Sequence, residues 1–395
     1  MVAKINADTS NGVIITSDNS GELELQSTGV TKAKVTANGL QDANGNSYGL
    51  SKTSGMYRNR IINGDMVIDQ RNNGSSATAN ANAYFIDRLQ LQASGSPPVL
   101  TGQRVTDAPN DFKYSMKFTT NATTDTLTAN EAVTPRQNIE GYNVADFNFG
   151  NAYAKEFTVS FWVKGSVTGT YGFTVMNATF DRHYVTTYNI NSANTWEKKT
   201  ITLTADTSGT WDTTTGVGVR IMFPLDTGPD LETATTETWG DTDKRRTVSC
   251  VKLLQSSSAT WQVTGLQVEL GSGASDFEFL PYDVQLARCQ RYCYKIGGDS
   301  AYAPFAMGTS YNTTNGNALV NYPVAMRATP TMTPTYPIRS LNGGATRAVS
   351  AVSFGQGGAT TAYIDYTTTT TSSGQAVMLT ADGTAAANLL FTAEL

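Results

Sequence analysis

From Phe157 to Lys164 the chain switches register at every residue, with Phe157, Val159, Phe161 and Val163 on one side and Thr158, Ser160, Trp162 and Lys164 on the other. A period of two places each set on one face of a pleated strand. The pattern recurs at 200–204, where Ile201 and Leu203 alternate with Thr200, Thr202 and Thr204, and at 220–225, where Ile221, Phe223 and Leu225 oppose Arg220 and Met222. Strands with one apolar face each predict two stacked antiparallel sheets, since a second sheet is what covers the apolar side of the first. No amphipathic helix of useful length interrupts residues 56–280. Short alternating strands are also predicted at 59–71 and 261–270, which bracket this region and whose ends should pair.

The flanks differ in texture. Within residues 1–56, strands of three to five residues at 13–16, 22–26 and 33–36 are separated by Ser, Asn and Gly turns. So short an array buries too little apolar surface to offset its ordering entropy alone, and intertwining with copies of itself would solve this. Residues 283–294 predict one short helix running into a strand, and mark a seam. Beyond it Pro323, Pro330, Pro334 and Pro337 punctuate strands at 349–354, 362–366, 376–379 and 389–395. That stretch is long enough for an independent β-sandwich. The predicted parts are therefore 1–56, 57–282 and 283–395, in an all-β chain.

Composition narrows the function. The chain has 395 residues, 39% hydrophobic and only 15% charged, so its surface falls to Thr, Ser, Asn and Gly, which suit strands and turns. A net charge of -5 argues against a nucleic-acid partner, which calls for clustered cations. Lys244-Arg245-Arg246 is the one basic cluster and reads as a solvated loop. No run of about 18 apolar residues predicts a membrane span, and the N-terminus lacks the apolar stretch of a signal peptide. Three cysteines, among them Cys289 and Cys293, read as buried thiols rather than a zinc site. The single histidine, His183, has no nucleophile elbow to serve, and Walker, dinucleotide and zinc-protease motifs are absent.

Several segments occur in a definite order: Asn59-Arg60-Ile61-Ile62-Asn63-Gly64-Asp65, Asp87-Arg88-Leu89, 157–164, Trp196-Glu197-Lys198-Lys199, Ser208-Gly209-Thr210-Trp211, 261–270 and Cys289-Gln290-Arg291-Tyr292-Cys293. Together, over residues 57–295, this series resembles jelly-roll modules that bind carbohydrates, and a recurring module of bacteriophage tail-fibre proteins. The resemblance implies a virion component assembled in the host cytoplasm. It implies a homotrimeric, β-prism or β-helix-like N-terminal segment docking on other tail proteins, a central jelly-roll, and a distal β-sandwich tip. Adhesion to host-surface polysaccharide would follow, because three weak sites on one shaft gain by effective concentration. A purely architectural virion adaptor or decoration protein is the first alternative; a polysaccharide depolymerase is the second.

Candidate chemistry is that of sugar binding, which joins aromatic rings to fixed polar groups. By strand parity Trp162, Lys164, Arg220 and Met222 point away from the core and form the candidate glycan groove. Glycoside hydrolysis needs two suitably spaced carboxylates, for which Asp65, Asp69, Asp87, Glu131, Glu140 and Glu269 are available. The coil-after-coil repeat of enzymatic tailspikes is not visible, and no enzymatic activity or cofactor is expected. Jelly-roll modules often hold a structural calcium where first and last strands meet, which the resemblance assigns to Asp65 and Glu269. Gln267 departs from the usual acidic closing strand, and a hydrogen-bonded turn without metal is the other reading.

Overall fold

The computed structural model describes residues 23–27, 30–36, 39–42, 57–79, 82–94, 100–123 and 127–395. It contains two compact units, Met1–Arg58 and Asn59–Leu395. In the first, Leu23–Ser27, Val30–Thr36 and Gly39–Asp42 form an antiparallel three-stranded sheet. Leu25, Val30 and Val35 remain exposed on it. The strand expected at 13–16 lies outside the described residues.

The second unit opens with an all-β sandwich of the jelly-roll kind. One sheet has six strands in the order Glu197–Leu203, Phe157–Gly165, Thr260–Leu270, Ser115–Thr120, Leu100–Val105 and Ala77–Ala79. The other runs Trp239–Gly240, His183–Ile190, Gly169–Met176, Val217–Met222, Ala132–Glu140, Gln90–Ser94 and Ala83–Tyr84, with Asp226–Thr227 added beside Ala132–Glu140. The predicted alternation holds: Phe157, Val159, Phe161 and Val163 from the first sheet meet Val219, Ile221 and Phe223 from the second in one core. Phe161 packs edge-on against Phe223 at 5.0 Å, and Phe223 lies 5.2 Å from Trp261. Each such side chain, fully buried, contributes about 1.5–3 kcal/mol. The Trp261 indole N–H would be an orphan in this core, and donates to the Tyr188 hydroxyl at 2.9 Å.

Residues 59–71 are a correction. They form no strand; the segment is a buried, irregular loop in which Asn63 and Met66 adopt positive φ of 62° and 59°. Side-chain amides replace the missing ladder. Asn63 Oδ1 accepts from Ile68 N–H, its Nδ2 donates to the carbonyls of Ile68 and Asp87, and Gln137 clamps both backbone groups of Ile62. The loop nevertheless meets the closing strand as expected, through Arg60 N–H to Val268 O at 2.9 Å and Leu266 N–H to Gly64 O at 3.0 Å. A methyl group on Gly64 would lie 2.1 Å from Leu266 O, so this approach requires glycine.

The short helix arrives as predicted, over Tyr282–Gln290, and the strand Cys293–Gly297 follows. That strand pairs with Asn388–Thr392, which also pairs with Thr331–Thr335. The expected C-terminal sandwich takes a closed form: Pro304–Ser310, Asn315–Asn321, Thr361–Thr368, Ala345–Gly357, Ile338–Asn342 and Ala376–Ala381 make a six-stranded barrel. Closure removes the edges that an open sheet would expose. Its core, with Ile364, Tyr366, Leu379, Leu389 and Phe391, is separate from that of the sandwich. Among the described residues no helix is long and apolar enough to cross a membrane.

Candidate functional site

The motifs Asn59–Asp65, Asp87-Arg88 and Cys289–Cys293 converge on the seam between sandwich and barrel. Arg88, 1% exposed, lies with its guanidinium 3.6 Å from the Tyr292 ring centroid, pairs with Glu394 and donates to Asn138 O at 2.5 Å. Glu140 accepts from the Tyr292 hydroxyl and from Arg291 at 2.5 Å each. Asp87 accepts from Gln70 N–H and Nε2, and burial pushes its carboxyl up to about 6 although Arg71 opposes this. Cys289 and Cys293 are free and buried, as expected. Three of the seven segments in the ordered series therefore build a joint.

The structure does not bring the four groove candidates together. Trp162 and Lys164 sit on the outer face of the six-stranded sheet; Arg220 and Met222 sit on the outer face of the opposite one. Trp162 is half-buried beside Gly265 and Phe112. Lys164 pairs with Asp107 and lies over Trp196 at 5.1 Å. Met222 is fully buried, and Arg220 is tied down by the carbonyls of Asn177 and Ala178. The calcium candidates have separate partners: Asp65 Oδ2 accepts from Gln285 Nε2 at 2.9 Å, whereas Glu269 accepts from Gln267 Nε2 and from Ser275 N–H and Oγ. Among the described residues no group of three or more His, Cys, Asp or Glu is placed to hold a metal. His183 is buried with Nδ1 2.5 Å from Thr242 O, and burial lowers its pKa.

A different set of residues lines an open cleft of about 360 Å³: Val67, Asp69, Gln70, Asn73, Arg104, Lys113, Tyr114 and Tyr282. Four separated stretches supply it, residues 67–73, Arg104, Lys113-Tyr114 and Tyr282. The loop after Met66 contributes Asp69, whose carboxylate accepts from the N–H groups of Asn72 at 2.9 Å and Gly74 at 2.7 Å and so fixes the turn. Strand Leu100–Val105 contributes Arg104, which donates to Val67 O at 2.5 Å and lies 4.3 Å from the Tyr114 centroid. The start of the helix contributes Tyr282, 61% exposed. Aromatic rings beside fixed amide, carboxylate and guanidinium groups are what a saccharide's C–H faces and hydroxyls require. Asp69 was noted as a carboxylate in the sequence; the other residues carry no local pattern, because only the fold makes them neighbours.

No protein-family model matches the sequence, and no curated protein matches it. Solved structures do. The enzymatically active domain of tailspike protein 4 of bacteriophage CBA120 is similar at TM-score 0.29 and 15% identity, over 54% of this chain and 22% of that one. A CBM4 module is similar at TM-score 0.27 and 17% identity, over 53% of this chain and 99% of the module. A xylan-binding CBM22-1 domain from Paenibacillus barcinonensis gives TM-score 0.24 and 13% identity, over 51% and 97%.

Proposed function

We propose that this protein is an adhesive component of a phage tail fibre, binding host-surface glycan through the cleft between Tyr114 and Tyr282 without cleaving it. The cleft itself carries the reading: it is open, it offers the exposed ring of Tyr282, and Gln70, Asn73, Arg104 and Lys113 line it too. Among the described residues its lining holds one carboxylate, Asp69, already committed to two backbone N–H groups. Acid–base hydrolysis of a glycoside needs a second, so the lining favours binding over depolymerase chemistry. A homotrimer displaying three such clefts, held to the virion through residues 1–56, would convert weak contacts into adhesion.

The test is titration of the full chain against host-surface polysaccharide fragments by calorimetry. Saturable binding is expected, with Tyr282→Ala weakening it by about tenfold, the scale of a lost stacking contact of roughly 0.5–1.5 kcal/mol together with its buried area. Equal binding by parent and variant would move the site elsewhere. No binding at all by the assembled protein would favour the architectural reading, to which the exposed row Met307, Leu319 and Tyr363 on adjacent barrel strands lends a contact surface.

A further inference from the structure

Five arginines among the described residues are buried: Arg88, Arg136, Arg220, Arg245 and Arg246. Three are answered by carboxylates, Arg88 by Glu394, Arg245 by Asp243 and Arg246 by Glu232. Arg136 and Arg220, 7% and 8% exposed, have only neutral partners. Arg136 Nε and Nη1 donate to the side-chain carbonyls of Gln90 at 2.7 Å and Gln92 at 2.8 Å. Arg220 donates to the carbonyls of Asn177 and Ala178 and to Asn138 Oδ1, at 3.2, 2.8 and 3.0 Å.

These two side chains are neighbours. Arg136 stands opposite Met222 and Asn138 opposite Arg220, so both guanidiniums rise from the same outer face one register step apart. Arg245 completes the cluster: Thr174 Oγ1 on the next strand donates to its carbonyl, and its guanidinium lies 5.2 Å from the Phe180 ring that Arg220 approaches at 4.3 Å. Asp243 is used up by Arg245 Nε and Nη2. Donors are left over: Arg245 Nη1 and Thr134 Oγ1, two residues from Arg136, are buried with no partner.

A guanidinium cannot shed its proton to escape such a place. Burying two with no carboxylate bonded to either, and only Asp243 acting on Arg220 from a distance, costs several kcal/mol, which the surrounding amides only partly offset. Burial, then the charge of Arg220, lowers the Arg136 pKa to about 9; burial with Arg245 lowers that of Arg220 to about 10. We propose that this face is a binding site for an oxyanion, a carboxylate, sulfate or phosphate group, held by Arg136, Arg220 and Arg245 with Thr134. The site stands independently of the tyrosine cleft. The group belongs either to an acidic saccharide or to a free inorganic ion.

The test is thermal unfolding and calorimetry of the full chain in Tris chloride. The probes are sodium sulfate, sodium glucuronate and a glucuronate-containing oligosaccharide, each compared with sodium chloride at equal ionic strength. A saturable stabilisation is expected, with Arg136→Gln weakening sulfate by at least about tenfold, the scale of one lost charge-assisted hydrogen bond. In chloride alone the same variant should unfold no earlier than the parent, because it removes an uncompensated charge; a residue of merely structural value would move the other way. If Arg136→Gln does not fold, Arg136→Lys keeps the charge, loses the fork and should still weaken sulfate. Tighter binding of the acidic oligosaccharide than of sulfate identifies a saccharide ligand; equal binding identifies a free ion. The proposal is overturned if none of the probes acts beyond matched chloride, or if Arg136→Gln and Arg220→Gln both bind sulfate as the parent does. Tyr282→Ala should leave the sulfate response unchanged, which separates this site's failure from failure of the glycan cleft.

Discussion

The seam between sandwich and barrel and the outer face of the larger sheet both bury arginine, and they answer its charge differently. At the seam, buried Arg88 has Glu394 and half-buried Arg291 has Glu140. On the sheet face, Arg136 and Arg220 have amide and main-chain oxygens only. A cation matched from within is finished, and serves to fix geometry. One left unmatched is expensive unless something from outside supplies the charge, so the contrast separates what holds this molecule together from what it can hold.

The largest effect should come from the matched side. Glu394→Ala leaves Arg88 sealed without a carboxylate and should cost about 3–5 kcal/mol in urea unfolding. A loss under about 1 kcal/mol would erase the distinction between the two regions.

Next comes acidity at the same seam. Because burial raises Asp87 to about 6 from an ordinary 3.8, the folded state takes up a proton that the unfolded state does not. That contribution is fully present below about pH 4 and is lost as pH rises through about 6, on the order of 3 kcal/mol. Asp226, raised to about 6 by burial, acts in the same direction. Stability measured by denaturant between pH 4 and 7 should therefore fall less steeply in Asp87→Asn than in the parent. An unchanged slope would mean that Arg71 and Gln70 hold Asp87 ionised throughout.

The smallest effect sharpens the comparison from outside. Tyr282→Ala removes an exposed ring at the cleft and should change stability by no more than about 0.5 kcal/mol. A larger loss would make Tyr282 part of the joint rather than of the ligand surface.

Alternation made the sheets legible: every apolar register from 157 to 163 and from 219 to 223 lies in the core. Parity also placed Trp162, Lys164, Arg220 and Met222 outside it, but a strand's sequence does not say which sheet it joins. Strand order is set by partners far along the chain, as in the pairing of Phe157–Gly165 with Thr260–Leu270, and that pairing separates the four. Residues 59–71 differ because a short segment buried on both sides, as 61–66 is, carries no period that tells a loop from a strand. The asparagines were the available sign, since Asn accepts positive φ and can bond its own backbone. Barrel closure was not legible, for the burial pattern of an open sandwich and of a closed barrel is the same.

Cys289 and Cys293 are 0% exposed within the seam, where burial holds both thiols well above their usual range. An alkylating reagent reaches them only when the helix and the first barrel-side strand part from the sandwich. Cys250, buried at 5% in the segment after Arg246, serves as a reference within the same chain. The ratio of labelling at these positions is thus a built-in clock for how often the two bodies come apart, readable by mass without adding any probe to the protein.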